Sequence, residues 1–265
     1  MLIVGERINS SRNVIAQAAG KFDAALILGE AKLQVQAGAR VLDVNAGTFA
    51  EKEGEYLKWI IETLISEIDT PLCIDSTDPE VVGEALQLCG KGMMINSITA
   101  ETRNYSRMLP LIREYDCEVV ALCMDDNGIP AKLQEKLNVG FGLVDRLLSD
   151  GIAVDKIYVD PLIMAVSTVQ NSGITALRTI REIVKRYPGI HTICGLSNIS
   201  FGLPVRKLMN RAFLVAAMTA GLDAIIVDPL DERLMATLIA ANTLLGRDEH
   251  CREYLAAFRD NKLAC

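Results

Sequence analysis

Eight times along these 265 residues a short apolar run, rich in β-branched side chains, ends near an acid or an amide, and a longer stretch with helical spacing follows. The runs fall at residues 2–4, 41–44, 73–77 ("CIDST"), 93–95, 118–124, 157–159, 191–196 and 224–227. Continuous apolar runs of this length suit parallel strands, which are buried on both faces and need helical crossovers. The spacing predicts helices over 24–37, closed at Gly38, and along the face Leu57, Ile61, Leu64 and Ile68. A third opens with Asp78 as N-cap and Pro79 in its first turn. Others cover 105–115, 131–150 with an interruption near Gly140 and Gly142, the face Leu177, Ile180 and Val184, the stretch "AFLVAAMTAG" ending at Gly221, and 231–245. Eight strand–helix units in order predict a single α/β domain over 1–265, a closed (β/α)8 TIM barrel, a fold that commonly runs about 250 residues. An open doubly wound sheet is the alternative, but no G-x-G-x-x-G or P-loop motif supports it.

Composition narrows the function. A net charge of −7 argues against a nucleic-acid surface or a polybasic membrane patch. No run of about 18 apolar residues suggests a membrane span, and "MLIVGERINSS" does not read as a secretory signal. Seven cysteines, at 73, 89, 117, 123, 194, 251 and 265, form no C-x-x-C pair. They read as small buried thiols in a reducing cytoplasm. With only His191 and His250 beside them, no metal site is expected.

The active site of a barrel lies at the C-terminal ends of its strands. Those ends carry Glu6 and Arg7, Asp43 and Asn45, Asp75, Ser76 and Thr77, Asn96 and Ser97, Asp125 to Asn127, Asp160, Ser197 and Asn198, and Asp228. Taken singly, each is more often a cap or turn residue. Asp43 and Asp228 read as holders of backbone and arginine, and Glu6 with Arg7 as an ion pair at the rim. Taken together they gather carboxylates and amides at one mouth with hardly a lysine or histidine. Such a set matches a planar heterocycle with several N–H donors, such as a pterin, whose amidine-like edge a carboxylate grips through paired hydrogen bonds. A Schiff-base enzyme needs a strand-end lysine, and Lys156 precedes its strand. A Ser–His–Asp triad needs a placed histidine, but His191 starts a strand and His250 lies near the C-terminus. Glycoside clefts usually offer aromatic platforms, and aromatic residues are 5% here.

The motifs "GERIN" (5–9), "LDVNAG" (42–47), "CIDST" (73–77), "MINS" (94–97), "DNGIP" (126–130), "DPLI" (160–163) and "GLSNISFGLPVRKLMNRAFL" (195–214) span nearly the whole chain. In this order they resemble the methyltetrahydrofolate:corrinoid methyltransferases of the pterin-binding barrel superfamily. They are also similar to the folate domain of cobalamin-dependent methionine synthase. The resemblance implies that Asp75, Asn96 and Asp160 hold the pterin, with Ser97 and Arg206 also at the folate. It implies that Asn198 stands at N5, the methyl-bearing nitrogen, as the catalytic residue. Asn96, Asn127 and Ile129 would face the corrinoid, and Glu6, Arg7, Asp43 and Asn45 would support the site. Phe201 replaces a glutamine found in a similar corrinoid iron–sulfur protein methyltransferase. The implied substrate is tetrahydrofolate or 5-methyltetrahydrofolate. The chain shows no D-x-H-x-x-G cobalamin signature, since "DEHCRE" breaks at the glycine, so the corrinoid would arrive on a separate protein. A cytoplasmic homodimer without nucleic-acid or membrane partners is implied as well, and O-demethylation is one of the pathways it could serve. The rival readings are a dihydropteroate synthase-like enzyme and a non-catalytic folate-binding subunit.

Overall fold

The computed structural model describes residues 1–263, so Cys265 lies outside them. Among the described residues the strands are β1 (Leu2–Asn9), β2 (Val41–Asn45), β3 (Leu72–Asp75), β4 (Met94–Thr99), β5 (Glu118–Leu122), β6 (Ile157–Asp160), β7 (His191–Thr192) and β8 (Ala224–Val227). The helices are α1 (Asn13–Gly20), α2 (Ala24–Gln36), α3 (Glu53–Ile65), α4 (Pro79–Cys89), α5 (Thr102–Glu114), α6 (Leu133–Ser149), α7 (Ser172–Arg186), α8 (Arg206–Ala220), α9 (Glu232–Leu244) and α10 (Arg252–Arg259). Sequential strands pair in parallel from β1 to β7, and β8 pairs with β1. The ring closes between β7 and β8 through a parallel bridge from Gly195 to Ile226 and the Ile226 N–H donating to the Cys194 carbonyl at 3.0 Å. The expected TIM barrel is the observed architecture.

Strand side chains alternate between the two faces of a sheet, and here the alternation sorts structure from chemistry. Val4, Val41, Cys73, Met94, Val120, Tyr158, Ile193 and Ala224 form one buried cluster, a floor with one residue from each position around the ring. Their neighbours Val44, Ile74, Ile95, Val119 and Val159 point outward and pack beneath the helices. Leu57, Ile60, Ile61 and Leu64 bury one face of α3 in that layer. Each such side chain contributes about 1.5–3 kcal/mol. A second outer cluster joins Ile3, Cys194 and Ile225 to α7, α8 and α9. One step above the floor, on the inward parity, stand Glu6, Asp43, Asp75, Asn96 and Asp160, and Asp228 follows the end of β8 one step higher.

Several local expectations hold. Asp78 caps α4 by accepting the Glu80 N–H, Pro79 is in its first turn, and Gly38 and Gly221 follow α2 and α8 with φ of 108° and 123°. Others are corrected. The helix over 131–150 has no interruption, because α6 runs unbroken through Gly140 and Gly142. Gly140 is a point of close approach: a Cβ there would stand 3.0 Å from Cys123 Sγ on the β5 side. Ile68 lies beyond the end of α3 and only packs against the core from the turn that follows. The strand expected over 191–196 shortens to two residues, since a 3-10 turn (Leu196–Ser200) bends the chain across the mouth. Helices α1 and α10 were not anticipated; α1 has no side-chain cap, and α10 lies outside the repeating strand–helix units. No helix among the described residues is long and apolar enough to cross a membrane.

Candidate active site

The alternation explains why the expected Glu6–Arg7 ion pair does not form. Consecutive strand residues point to opposite faces, so Glu6 enters the barrel and Arg7 leaves it. Arg7 Nε donates to Glu30 Oε2 at 2.7 Å and Nη1 to Asp228 Oδ2 at 2.8 Å, tying β1 to α2 and to the end of β8. Glu6 instead accepts the Asp228 backbone N–H. Burial, then the Asp228 charge, push its carboxyl up to about 7 despite Arg12 and Arg206 nearby. Asp228 holds an arginine and backbone as expected, since it also accepts the Leu230 N–H. Among the described residues no arginine bonds to Asp43, whose partner is the Asn96 amide.

On the opposite wall, β2, β3 and β4 interleave acids with amides. The Asn96 amide donates to Asp43 Oδ1 at 3.4 Å, and the Asn45 amide to Asp75 Oδ2 and the Asp75 carbonyl, each at 3.1 Å. Asn45 is itself fixed, because its Oδ1 accepts the Gly47 N–H at 3.0 Å. Asp43 is 2% exposed. Burial, reinforced by the Asp75 charge, lifts its pKa well above the carboxylate range. Asp75 is also raised, by burial, against the Asn45 hydrogen bond. Ser97 follows Asn96 at a register shift in the β4–β5 ladder, which resumes at Ile98 opposite Ala121.

Asp160 ends β6, buried, with its pKa pushed up to about 6 by desolvation, opposed by the Leu162 N–H and by Lys136. The Leu162 N–H donates to Asp160 Oδ1 at 2.7 Å. That contact needs Leu162 at φ 50°, a left-handed backbone that costs a non-glycine residue about 1–2 kcal/mol. Lys136, from the first turn of α6, donates to the carbonyls of Pro161 and Leu162 from inside the protein. No role was expected of this lysine. A lysine in an amphipathic helix reads as solvated, yet its spacing to Gly140, Leu143 and Leu147 puts it on the buried stripe of α6.

Asn198 lies exposed on the 3-10 turn after β7. Its Nδ2 would be 3.3 Å from a Cβ at Gly195, so the side chain lies close over that glycine. Arg206 fastens this turn, with Nη2 donating to the Ser197 carbonyl at 2.7 Å and Nε to Ser200 Oγ at 3.1 Å. Glu6, Ser197, Arg206 and Asp228 line a cleft of about 300 Å³ on this side of the mouth. Across the mouth, Asn127 is held by Asp125 through its N–H at 2.9 Å, and Ile129 is exposed beside it. The strand-end residues thus come together as expected, with Asn127 and Ile129 on the rim and Arg206 engaged by its own loop.

A family model described as a pterin binding enzyme matches residues 5–228. The chain belongs to the pterin-binding enzyme family. This pterin-binding barrel is 39% identical to the methylcorrinoid:tetrahydrofolate methyltransferase of Eubacterium limosum over 265 residues, covering 99% of this chain and 98% of that protein. It is 30% identical to the methionine synthase of Mycobacterium tuberculosis over 240 residues, which are 86% of this chain and 20% of that protein. In structure it is similar to the dihydropteroate synthase of Xanthomonas albilineans solved with 4-aminobenzoic acid, with a TM-score of 0.69 and 18% identity over 94% of this chain and 93% of that one. At that identity the likeness concerns the fold alone.

The buried acids of this pterin-binding barrel make its stability depend on pH. Acids whose folded pKa is raised stabilise the protein fully below their unfolded pKa, near 4, and that contribution is lost as pH rises through the folded values. For Asp160 and Glu6 these are about 6 and about 7. His191, raised by its hydrogen bond to Asp223, acts in the same direction. The melting temperature of the free protein should fall from pH 5 to pH 8. Tetrahydrofolate affinity, if it uses ionised Asp160, should rise up to about tenfold per pH unit below 6 and level off above. Calorimetric titrations between pH 5 and 8 check both, and parallel slopes would reject the assignment.

Proposed function

We propose that this chain moves a methyl group between N5 of tetrahydrofolate and the cobalt of a corrinoid carried on a separate protein. The observation that carries the reading is the free amide of Asn198 on the same mouth as Asp75, Asn96 and Asp160. The acids accept from the N–H edge of the pterin, and Asn96 both donates and accepts. Ser97 and Arg206 border the same ligand, and Glu6, Arg7, Asp43 and Asn45 hold its walls.

The corrinoid supplies a cobalt that takes or gives the methyl group. This chain's own task is to hold N5 in line and manage its charge. An N5–methyl bond breaks readily only when N5 carries a proton, so that nitrogen leaves as a neutral amine. Asn198 is no general acid, but its carbonyl oxygen stabilises a protonated N5, and its amide orients the free nitrogen in the reverse direction. The likeness to the Eubacterium limosum relative favours delivery from the corrinoid to tetrahydrofolate, as O-demethylation requires.

The dihydropteroate synthase reading needs cations for a pyrophosphate leaving group. Arg7 is taken by Glu30 and Asp228, and Arg206 by the Ser197–Ser200 turn. Methyl exchange between 5-methyltetrahydrofolate and free cob(I)alamin, followed by the cobalamin spectrum, separates the readings. A protein that binds folate without turnover is the non-catalytic subunit, and one that makes dihydropteroate is the synthase.

A protein-borne corrinoid needs a landing surface. Phe201 at 66%, Val205 at 73% and Leu208 at 60% exposure form an apolar rim from the Asn198 turn into α8, with Ile129 and Asn127 opposite. This rim fits the corrinoid protein, because any cobalt that reaches N5 must pass over it. Leu208→Glu should cut turnover with the corrinoid protein at least tenfold by placing a charge in the contact, while turnover with free cobalamin stays within about twofold. Equal losses in both assays would remove the rim from the docking role. The same reading places the chain in the cytoplasm, consistent with its buried free thiols Cys73, Cys117, Cys123 and Cys194. It also makes the protein a homodimer with both mouths open, which a monomeric sedimentation coefficient at micromolar concentration would exclude.

A further inference from the structure

We infer that Lys136 is a positioning residue for Asp160: its buried ammonium ties the Asp160–Leu162 turn to α6 and keeps the Asp160 carboxylate aimed into the mouth. This rests on the reading that Asp160 grips the pterin. Lysines ordinarily keep the charged head in water while the stem packs. Lys136 is 3% exposed and forms no ion pair among the described residues. Its Nζ donates to two consecutive carbonyls, those of Pro161 and Leu162, the latter at 2.8 Å. Those carbonyls flank the left-handed Leu162 whose N–H holds Asp160. The lysine thus spans the one turn that both orients the carboxylate and adopts an unfavourable backbone.

A role confined to packing would be served by an apolar side chain, since a buried cation is costly to desolvate. What an apolar residue would not supply is positive charge behind the carboxylate. Asp160 and Lys136 act on one another through that charge. Two further groups face this spot, Cys123 beyond β5 and Cys194 beyond β7. Burial pushes the first thiol up to about 12 and the second well upward, so both stay neutral near pH 7. Asp75 and Glu6, pushed up to about 6 and about 7, and Asp43, also raised by burial, are the other carboxylates of the mouth. They are common to every variant below, so differences between them report on Asp160.

The test compares Lys136→Met, Lys136→Gln and Lys136→Arg with the parent by tetrahydrofolate titration from pH 5 to 8.5, with circular dichroism to follow folding. The Met variant is expected to bind at least tenfold more weakly at pH 7, with the midpoint of its pH profile moved up by roughly half to one unit. Arg, which restores the charge, should bring the midpoint back. A folded Met variant with the parent's affinity and midpoint overturns the proposal. So does an affinity loss of the same factor at every pH, which marks a structural role. If the Met variant does not fold, the Gln variant is read in the same assay, and failure of both to fold assigns Lys136 to stability alone and overturns the proposal. Asp160→Asn is measured alongside: parent-like folate binding there refutes the pterin reading itself, whatever the Lys136 variants do.

Discussion

Asp160→Asn is expected to leave a folded barrel that binds tetrahydrofolate roughly 100-fold more weakly than the parent, a loss of about 3 kcal/mol. The size follows from the chemistry of the exchange. A buried carboxylate accepts two N–H bonds from a pterin edge, and charge-assisted bonds of this kind are about twice as strong as neutral ones. An amide of the same shape presents one oxygen and one NH2 group, so one bond disappears and a donor then faces a donor. The fold should survive, because the Asn oxygen can still take the Leu162 N–H that Asp160 takes now. Affinity should also lose most of its dependence on pH near 6, since the group raised to about 6 by burial is gone. Calorimetry at several pH values decides the matter, and an affinity within threefold of the parent would exclude a pterin contact at this position.

Asn198→Ala should show the opposite split. Folate binding should stay within about tenfold, while single-turnover methyl transfer should fall on the order of 100- to 1,000-fold, the usual effect of removing one preorganised polar group from a developing charge. The residue is exposed and its neighbours do not lean on its amide, so the fold should not change. Rapid mixing of enzyme, 5-methyltetrahydrofolate and cob(I)alamin isolates the chemical step from product release. An unchanged single-turnover rate would sink the assignment of Asn198 to N5.

The barrel was legible because its parallel strands are apolar on both faces and its helices keep their period. The strand-end acids and amides were legible for a related reason: a carboxylate that ends an apolar run two residues after an inward-facing one, as Asp75 and Asp160 do, shares its face and points toward the mouth. Contacts between elements distant in sequence were harder to read. Gly140 looked like a helix break because propensity sees one residue at a time, whereas its use is the 3.0 Å room it leaves for Cys123. Glu6 and Arg7 looked paired because they are adjacent, and strand geometry separates them. Lys136 was overlooked although the stripe Lys136, Gly140, Leu143 and Leu147 was in plain view, because a lysine is discounted as a core residue before its register is considered.

The short β7 strand has a consequence for how this site changes over time. Six of the ring's strands fix their mouth residues through ladders on both edges. Asn198 hangs instead from a turn stapled by Arg206 and by the Ser167 hydroxyl, which donates to the Phe201 carbonyl at 2.6 Å. Asn198 therefore takes its position from α8 and from the loop after β6 rather than from the sheet. On the proposed reading, substitutions along α8 should retune the distance between N5 and Asn198 without disturbing the strand-end acids. If Asn198 stands at N5 as proposed, a change of methyl carrier would need changes in α8 and not in the strand ends that hold the folate.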